Sequence, residues 1–405
     1  MSCKQEPAPN TKFLLSTGPK TKLLALNSKE YQTNKDKTLA LCDNTTSSVF
    51  VFFDRDDETE GNQNNNDNDI SPNIMELKNL ANRDITSIAS NLGSINVVTG
   101  NREFLSADTV VTEERNEEVN FNAPSIFDLY DVINASCGAE HTFVCGVQQQ
   151  RSYIFCRGNN SNGQLGLGKK ISYTDRFKQV HIETSPQFFQ VACGSFFTLL
   201  LTTTGKVWGF GHNHHGQLGS GSREQIVWEP TEIGSLNGIP VTQIAAGTSH
   251  SLALSTTGLL FCAGSNSQGQ LGISGQYDQN SFTNVESLSA VFVVRVSANG
   301  CYSAAIDEFG TLYIWGGAWG SSPRSVTVDC GGIEQSDANA EADETKAKEG
   351  ENKELFVDVS LGADGRFAAL TSRNKLIVGG FYVNGEQVLT PIEVASPRVP
   401  FTGIF

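Results

Sequence analysis

The chain has 405 residues, which is enough for two or three ordinary domains or for one domain built from repeats, and its 39 glycines and 24 phenylalanines favour strands and turns. Its formal net charge is −15 and it has no basic tail, which argues against a DNA- or RNA-binding protein. The nine cysteines include no C-x-x-C pair, and there is no apolar run of 18 residues. We therefore expect reduced thiols in a cytoplasmic or nuclear protein, without a signal peptide or membrane span.

The first predicted unit of the chain is degenerate. Apolar runs at 13–15, 23–26 and 49–53 are typical of short strands, and we place the turn of this unit near Gly18. The segment 54–69 follows, with seven acidic residues against one arginine, and we expect this acidic, Asn-rich insert to be disordered. A second weak unit is centred on Asn91.

Three clear units come next, each consisting of a strand, a turn, a second strand and a glycine-rich loop. Their turns begin at Gly138, Gly194 and Gly247. Their loops share the pattern G-x-N-x-x-G-Q-L-G and span Gly158–Gly166, Gly211–Gly219 and Gly264–Gly272. The middle glutamine recurs at 164, 217 and 270, a period of 53 residues kept twice. Such a period predicts a repeated supersecondary unit.

Two further units, centred near residues 299 and 363, complete a series of seven. Between them, the segment 329–354 holds nine acidic residues against three lysines, and we expect a second disordered insert there. The apolar segment 400–405 could pair with an N-terminal strand and close the array into a ring, which would remove both sheet edges.

The G-x-x-H-[ST] turns and the glycine-rich loops resemble the repeats of the regulator of chromosome condensation family, most specifically over about 135–320. The resemblance implies an all-β fold, a seven-bladed β-propeller that forms a single domain over 1–405. That blade number agrees with the seven units counted along the chain.

The repeated residues are expected to be structural. Gln217 and its equivalents, together with His141 and His250, are predicted to bond backbone groups near their turns. Three histidines in the middle loop, His212, His214 and His215, suggest a metal cluster, but they occupy positions that vary between the loops, so we expect no metal site. The chain lacks recognisable nucleophile, phosphate-loop and metalloprotease motifs, and we expect no bound cofactor.

The resemblance also implies a candidate activity. The founding member of the family is a guanine nucleotide exchange factor for a Ran-type GTPase, and it uses acidic residues in two consecutive turns. If the turn at Gly194, which lacks a histidine, is matched to the turn without histidine in that protein, Glu140 occupies the second acidic position. Its side chain is one methylene longer than the family's aspartate. The preceding turn, 91–94, has no acid. If the chain is an exchange factor, the implied site residues are Glu140 and His250.

We therefore predict a non-enzymatic scaffold or regulatory propeller that presents loops to a protein partner. The alternative is a guanine nucleotide exchange factor for a small GTPase. The chain is expected to be a monomer that binds neither nucleic acid nor membrane. Its acidic inserts are either tolerated surface loops or an acidic arm that recruits a basic partner.

Overall fold

In the computed structural model, the described strands form eight sheets, seven of which are arranged as the blades of a β-propeller, while the eighth is a two-stranded hairpin. The structure describes residues 23–25, 38–43, 48–53, 73–76, 85–90, 94–108, 121–222, 224–326, 335–337, 355–363, 365–373, 376–383, 386–388 and 392–393. No α-helix occurs among these residues, and no helical segment within them could cross a bilayer. The predicted all-β, seven-bladed propeller is confirmed.

The first blade lies between the second and the seventh, because its strand β1 contacts the first strands of both neighbours. Strands β1 to β4 span Leu23–Ala25, Thr38–Asp43, Ser48–Phe53 and Asn73–Glu76. The predicted turn near Gly18 lies outside the described residues. The segments 54–69 and 400–405 lie outside the described residues, so the predictions made for them stay open.

Blades 2 and 3 follow in chain order. Strands β5 to β7 of blade 2 span Ile85–Ser90, Ser94–Thr99 and Phe104–Asp108. Strands β8 to β11 of blade 3 span Asp131–Cys137, His141–Gln148, Arg151–Asn159 and Tyr173–Val180. The predicted turns near Asn91 and Gly138 therefore fall between the first and second strands of their blades.

Blades 4 and 5 repeat the same four-stranded order. Strands β12 to β15 span Phe188–Cys193, Phe197–Thr202, Val207–His212 and Ile226–Glu232. Strands β16 to β19 span Val241–Ala246, His250–Ser255, Leu260–Gly264 and Gln279–Asn284.

Blades 6 and 7 carry additions to this order. Strands β20 to β24 of blade 6 span Val293–Asn299, Tyr302–Asp307, Leu312–Trp315, Arg324–Val326 and Gln335–Asp337. The blade 7 sheet contains β25, β26, β27 and β30, which span Phe356–Leu361, Phe367–Thr371, Leu376–Gly379 and Ile392–Glu393. Between β27 and β30, strands β28 and β29 form a separate hairpin at Phe381–Val383 and Glu386–Val388. Strand β24 lies within the predicted insert 329–354 and pairs with β23.

The two faces of the propeller differ in what they carry. The first and third strands of a blade run in the same direction, so the turn after the first strand and the loop after the third meet at one face. In blade 3, for example, Gly158 at the end of β10 pairs with His141 at the start of β9. We call this the loop face. The opposite face carries the turns after the second strands and the links between blades, and we call it the link face.

The core lies between neighbouring blades. The second strands β13, β17 and β21 are buried along their whole length, because each has a blade packed on both of its surfaces. Aromatic side chains join the blades: the Phe143 and Phe210 rings lie 5.7 Å apart, and so do those of Trp319 and Phe367. This arrangement explains why these strands contain uninterrupted apolar stretches, such as 199–201 and 252–254, rather than alternating patterns.

Amide side chains near the propeller axis tie successive first strands together. The Gln190 side chain donates to the Ile244 carbonyl and accepts from the Ile244 amide, both at 3.0 Å. Gln243 makes the same pair of bonds to Val296, at 2.9 and 3.1 Å. A register shift in the strand pairing lies beside each glutamine, as is usual where a β-bulge redirects a side chain.

The described buried cysteines pack in this core as free thiols; they are Cys137, Cys145, Cys156, Cys193 and Cys262. Burial raises the pKa of Cys145 and of Cys262 to about 12, which keeps both thiols protonated at neutral pH.

Candidate functional site

The glycine-rich loops of the loop face are held by their own asparagine and glutamine. In the loop of blade 3, Asn160 Oδ1 accepts from the Leu165 amide at 2.8 Å, and Gln164 Oε1 accepts from the Asn162 amide at 2.8 Å. The loops of blades 4 and 5 repeat both bonds with Asn213, Gln217, Asn266 and Gln270. The prediction that these glutamines bond backbone groups is confirmed.

The histidine of the blade 3 turn joins this blade to blade 4. His141 is buried, and its Nε2 lies 3.1 Å from the hydroxyl of Thr198 in β13. That hydroxyl donates to the Gln164 carbonyl at 2.9 Å, so it accepts from the histidine, and the proton of the neutral ring is on Nε2. Burial lowers the pKa of His141 to about 3.

We call this contact a joint: a turn histidine lies against a hydroxyl of the next blade, and that hydroxyl donates to a loop carbonyl. The same joint recurs between blades 5 and 6. His250 Nε2 lies 2.8 Å from the hydroxyl of Ser303, which donates to the Gln270 carbonyl at 2.7 Å. Burial lowers the pKa of His250 to about 4. Between blades 4 and 5 the joint keeps only the hydroxyl: Phe197 stands at the histidine position, and Ser251 donates to the Gln217 carbonyl. The sequence signalled these hydroxyls, since a Thr or Ser follows each turn, but it did not reveal that their partners lie in another blade.

Glu140 is exposed on the loop face beside the blade 3 joint. Its carboxylate accepts from Asn159 Nδ2 at 2.8 Å, and the turn that carries it donates from the Ala139 amide to the Ser195 carbonyl of the next blade at 3.1 Å. The other implied site residue, His250, is fully buried two blades away. The structure therefore does not bring Glu140 and His250 into one site. Of the turn that lacks an acid, 91–94, residues 91–93 lie outside the described residues, and Ser94 is the first residue of β6.

The three histidines of the middle loop make different contacts. The rings of His212 and His214 are stacked with centroids 4.5 Å apart, whereas His215 Nδ1 lies 2.7 Å from Asp278 Oδ2 of the next blade. Partial burial, followed by the charges of His214 and His215, lowers the pKa of His212. Within the described part of the chain, no three His, Cys, Asp or Glu side chains are arranged as metal ligands.

The exposed side chains of the loop face differ from blade to blade. Tyr173 in blade 3 is 64% exposed and Tyr277 in blade 5 is 81% exposed, and sequence reasoning singled out neither. Lys169 and Lys170 are exposed beside the first, and His214 and His215 lie between the two blades. The positions that repeat are thus mostly buried in joints, while the positions that vary are presented to solvent.

Family models match the middle of the chain. A model described as the regulator of chromosome condensation (RCC1) repeat matches residues 153–201 and 204–254, and a second model with the same description matches 190–217 and 241–270. These residues cover blades 3 to 5, where the joints and the glycine-rich loops lie.

Two curated relatives share this region. Probable E3 ubiquitin-protein ligase HERC6 of Homo sapiens is 37% identical over 198 residues, which are 46% of this chain and 19% of the relative. RCC1 domain-containing protein RUG3, mitochondrial, of Arabidopsis thaliana is 37% identical over 199 residues, which are 47% of this chain and 44% of the relative. The chain therefore spans less than half the length of either relative.

Two solved structures resemble the whole propeller. Human WBSCR16 superposes with a TM-score of 0.61 and 23% identity, over 80% of this chain and 84% of that one. Yeast RCC1 (Prp20), in complex with Kap60, superposes with a TM-score of 0.59 and 16% identity, over 89% of this chain and 79% of that one. At these identities the likeness establishes the fold.

Proposed function

We propose, from the premise that the chain belongs to the regulator of chromosome condensation (RCC1) repeat family, that it is a non-catalytic propeller whose loop face binds a protein partner. This proposal rests on a difference between two sets of positions on the loop face: the positions that repeat are mostly buried between blades, and the positions that vary are exposed to solvent. His141 and His250 are buried in joints and have low pKa values, so neither is available as an acid or base. The side chains left exposed differ between blades and include Tyr173 and Tyr277, a residue type enriched in protein interfaces.

A specific observation keeps guanine nucleotide exchange as a second candidate. Glu140 is exposed, and Asn159 holds its carboxylate beside the turn that would face a GTPase. The yeast neighbour Prp20p was characterised for its binding to Gsp1p and histones. Against exchange activity, the turn 91–94 offers no acid to act with Glu140. We rank the scaffold first for this reason.

Partner capture with face-specific variants tests the scaffold proposal. The purified chain, a Tyr173→Ser/Tyr277→Ser variant and a Phe309→Thr variant of the link face are immobilised, and bound lysate proteins are quantified by mass spectrometry. We expect a set of proteins that the tyrosine variant loses and the link-face variant retains. Identical capture by all three would contradict a partner site on the loop face.

Nucleotide release separates the two candidates. Release of labelled GDP is measured from purified Ran-type, Rab-type and Arf-type GTPases, with the wild-type chain, Glu140→Gln and the control Glu183→Gln, whose exposed glutamate lies on the link face. The scaffold predicts no acceleration by any of them. Acceleration that Glu140→Gln abolishes and Glu183→Gln preserves would establish exchange instead.

We further propose a monomer located in the cytoplasm or nucleus that binds neither membrane nor nucleic acid. Light scattering tests the oligomeric state, and imaging of a tagged chain tests the location. Because RUG3 is named as mitochondrial, mitochondrial staining is the specific result that would contradict the location.

A further inference from the structure

The turn after the first strand of blade 3 carries a carboxylate that its sister turns lack. In blades 3 to 6 these turns are 138–140, 194–196, 247–249 and 299–301, and Glu140 is the one charged residue in them. Glu140 is exposed, and the ion pairs found among the described residues do not include it. Because the turn follows the innermost strand of its blade, this unpaired carboxylate lies at the inner edge of the loop face.

Asn159 holds the carboxylate in one position. Its Nδ2 donates to Glu140 Oε2 at 2.8 Å, and its Oδ1 accepts from the Ser161 amide at 2.7 Å. Its backbone amide also donates to the Glu140 carbonyl at 2.9 Å. Both ends of the asparagine amide are thus fixed, so the carboxylate loses little freedom when a ligand binds it.

The sister loop of blade 4 uses this position differently. There His212 replaces the asparagine, and Gln217 Nε2 donates to His212 Nδ1 at 2.9 Å. In blade 3 the equivalent Gln164 is fully buried, and its Nε2 has no partner among the described residues. Asn159 bonds Glu140 instead, and a buried donor without an acceptor is destabilising. A local rule that is broken in one repeat only is typical of a functional position.

The described cations near the blade 3 loop lie elsewhere. The Arg157 guanidinium donates to a serine of blade 2 at 2.9 Å and lies 4.8 Å from the centre of the Phe177 ring. The lysines at 169–170 precede β11, which is three strand spacings, about 14 Å, from the innermost strand β8. That separation exceeds the roughly 8 Å over which exposed charges act at physiological ionic strength. The carboxylate therefore remains open to a cation from outside the chain.

An aromatic ring lies in the turn next to it. The Ala139 amide donates to the Ser195 carbonyl at 3.1 Å, which joins the two turns, and the partly exposed Phe196 follows directly. A carboxylate beside an aromatic ring suits a guanidinium, which forms two parallel N–H bonds with the carboxylate and stacks on the ring. In blades 5 and 6 the corresponding residues are Ser249 and Cys301, which offer neither group.

We propose that Glu140 and Phe196 receive an arginine side chain of the protein partner, and that Asn159 positions the carboxylate for it. This inference rests on the proposed loop-face partner and specifies its chemistry, a segment with an exposed arginine. Tyr173 begins the outermost strand of blade 3, and Tyr277 lies just before that of blade 5. The tyrosines and the arginine site can therefore be tested separately.

Fluorescence anisotropy with defined probes tests the arginine site. One probe is a labelled peptide in which arginine alternates with glycine, and a second has citrulline, which keeps the shape but not the charge. The full chain is compared with Glu140→Gln and with the matched control Glu183→Gln on the link face. We expect Glu140→Gln to weaken the arginine peptide about threefold to tenfold, and the control to bind as the wild type does. The citrulline peptide is expected not to bind.

Two results would overturn the arginine site. One is equal binding of the arginine peptide by Glu140→Gln and Glu183→Gln. The other is a lysine peptide that binds as tightly as the arginine peptide, since an ammonium lacks the planar fork. If the tyrosine variant still loses captured proteins, either result leaves the loop-face proposal standing. Capture that the tyrosine variant does not change would instead overturn the loop-face proposal.

Asn159→His tests the positioning role, because it introduces the residue of the sister loop. Its ring is expected to accept from Gln164 Nε2, which should raise the melting temperature by about 1 to 2 °C. Binding of the arginine peptide should fall about threefold, since Glu140 is no longer held. Asn159→Ala should show the same loss of binding without the rise in melting temperature. Binding equal to that of the wild type in both variants would overturn the positioning role.

Discussion

Replacement of His250 tests whether the buried turn histidines act as joints between blades. The ring is 0% exposed and packs so closely over the turn that a Cβ on Gly247 would lie 2.2 Å from its Cε1. Phe197 occupies the same place over Gly194 in blade 4, where the corresponding distance is 1.9 Å. The chain therefore already shows that a phenyl ring fits this turn, so His250→Phe and His250→Ala separate packing from hydrogen bonding.

The two variants are expected to differ severalfold in cost. His250→Ala removes the ring and the bond to Ser303, which should lower the free energy of unfolding by about 3 to 4 kcal/mol. His250→Phe keeps the packing and loses one hydrogen bond, which should cost about 1 kcal/mol. Ser303 keeps its bond to the Gln270 carbonyl in both variants, so its hydroxyl is not left without a partner.

The histidine also makes stability depend on pH. Its pKa falls from 6.5 in the unfolded chain to about 4 in the folded protein because the buried ring is held neutral. A lowered folded-state pKa means that the unfolded chain binds the proton more readily. The stability is therefore fully present above 6.5 and is lost as the pH falls toward 4, by about 3 kcal/mol. His250→Phe has no ionisable group at this position, so its stability lacks this dependence on pH.

Urea unfolding followed by fluorescence, at neutral pH and at about pH 5, measures both effects. The wild type is expected to lose about 2 kcal/mol between neutral pH and about pH 5, so its advantage of about 1 kcal/mol over His250→Phe should shrink and then change sign as the pH falls. The reasoning fails if His250→Phe costs as much as His250→Ala at neutral pH, or if the difference between wild type and His250→Phe does not change with pH.

Three further predictions concern the scaffold. Gly219 has φ of 62°, and a Cβ there would lie 2.3 Å from the Phe282 ring, so Gly219→Ala should lower the free energy of unfolding by about 3 kcal/mol. Gly238 has φ of 83° but no atom within 4 Å of a Cβ placed there, so Gly238→Ala should cost only about 1 kcal/mol. Paired thermal melts that give equal costs would contradict this. Gln243→Ala removes two bonds between blades and should cost about 2 kcal/mol by urea unfolding, while Gln279→Ala, which loses one bond of 3.4 Å, should be near neutral. In a variant with Cys3, Cys42, Cys301 and Cys330 replaced by Ser, the remaining buried thiols should react with a thiol reagent only after unfolding; rapid reaction of the native protein would show that the core opens.

Much of the candidate site could be predicted from repeats within the chain. Comparison of the glycine-rich loops identified Gln217 and its equivalents as structural residues. It also showed that His214 and His215 occupy positions that vary between the loops, so they are not part of the repeated scaffold. The role of His250 could be predicted only in outline, because its partner Ser303 is 53 residues away in the chain and belongs to the next repeat.

The sequence by itself determined the repeating unit: the period of 53 residues, the order of strand, turn and loop, and the number of blades. These features are local, since glycine positions and short apolar runs specify turns and strands without reference to distant parts of the chain. Only the tertiary structure decided which blade each side chain contacts, that Gln190 and Gln243 bridge neighbouring first strands, and which turns share a face. Those contacts depend on the direction and spacing of whole blades around the axis, and a linear pattern does not contain that geometry.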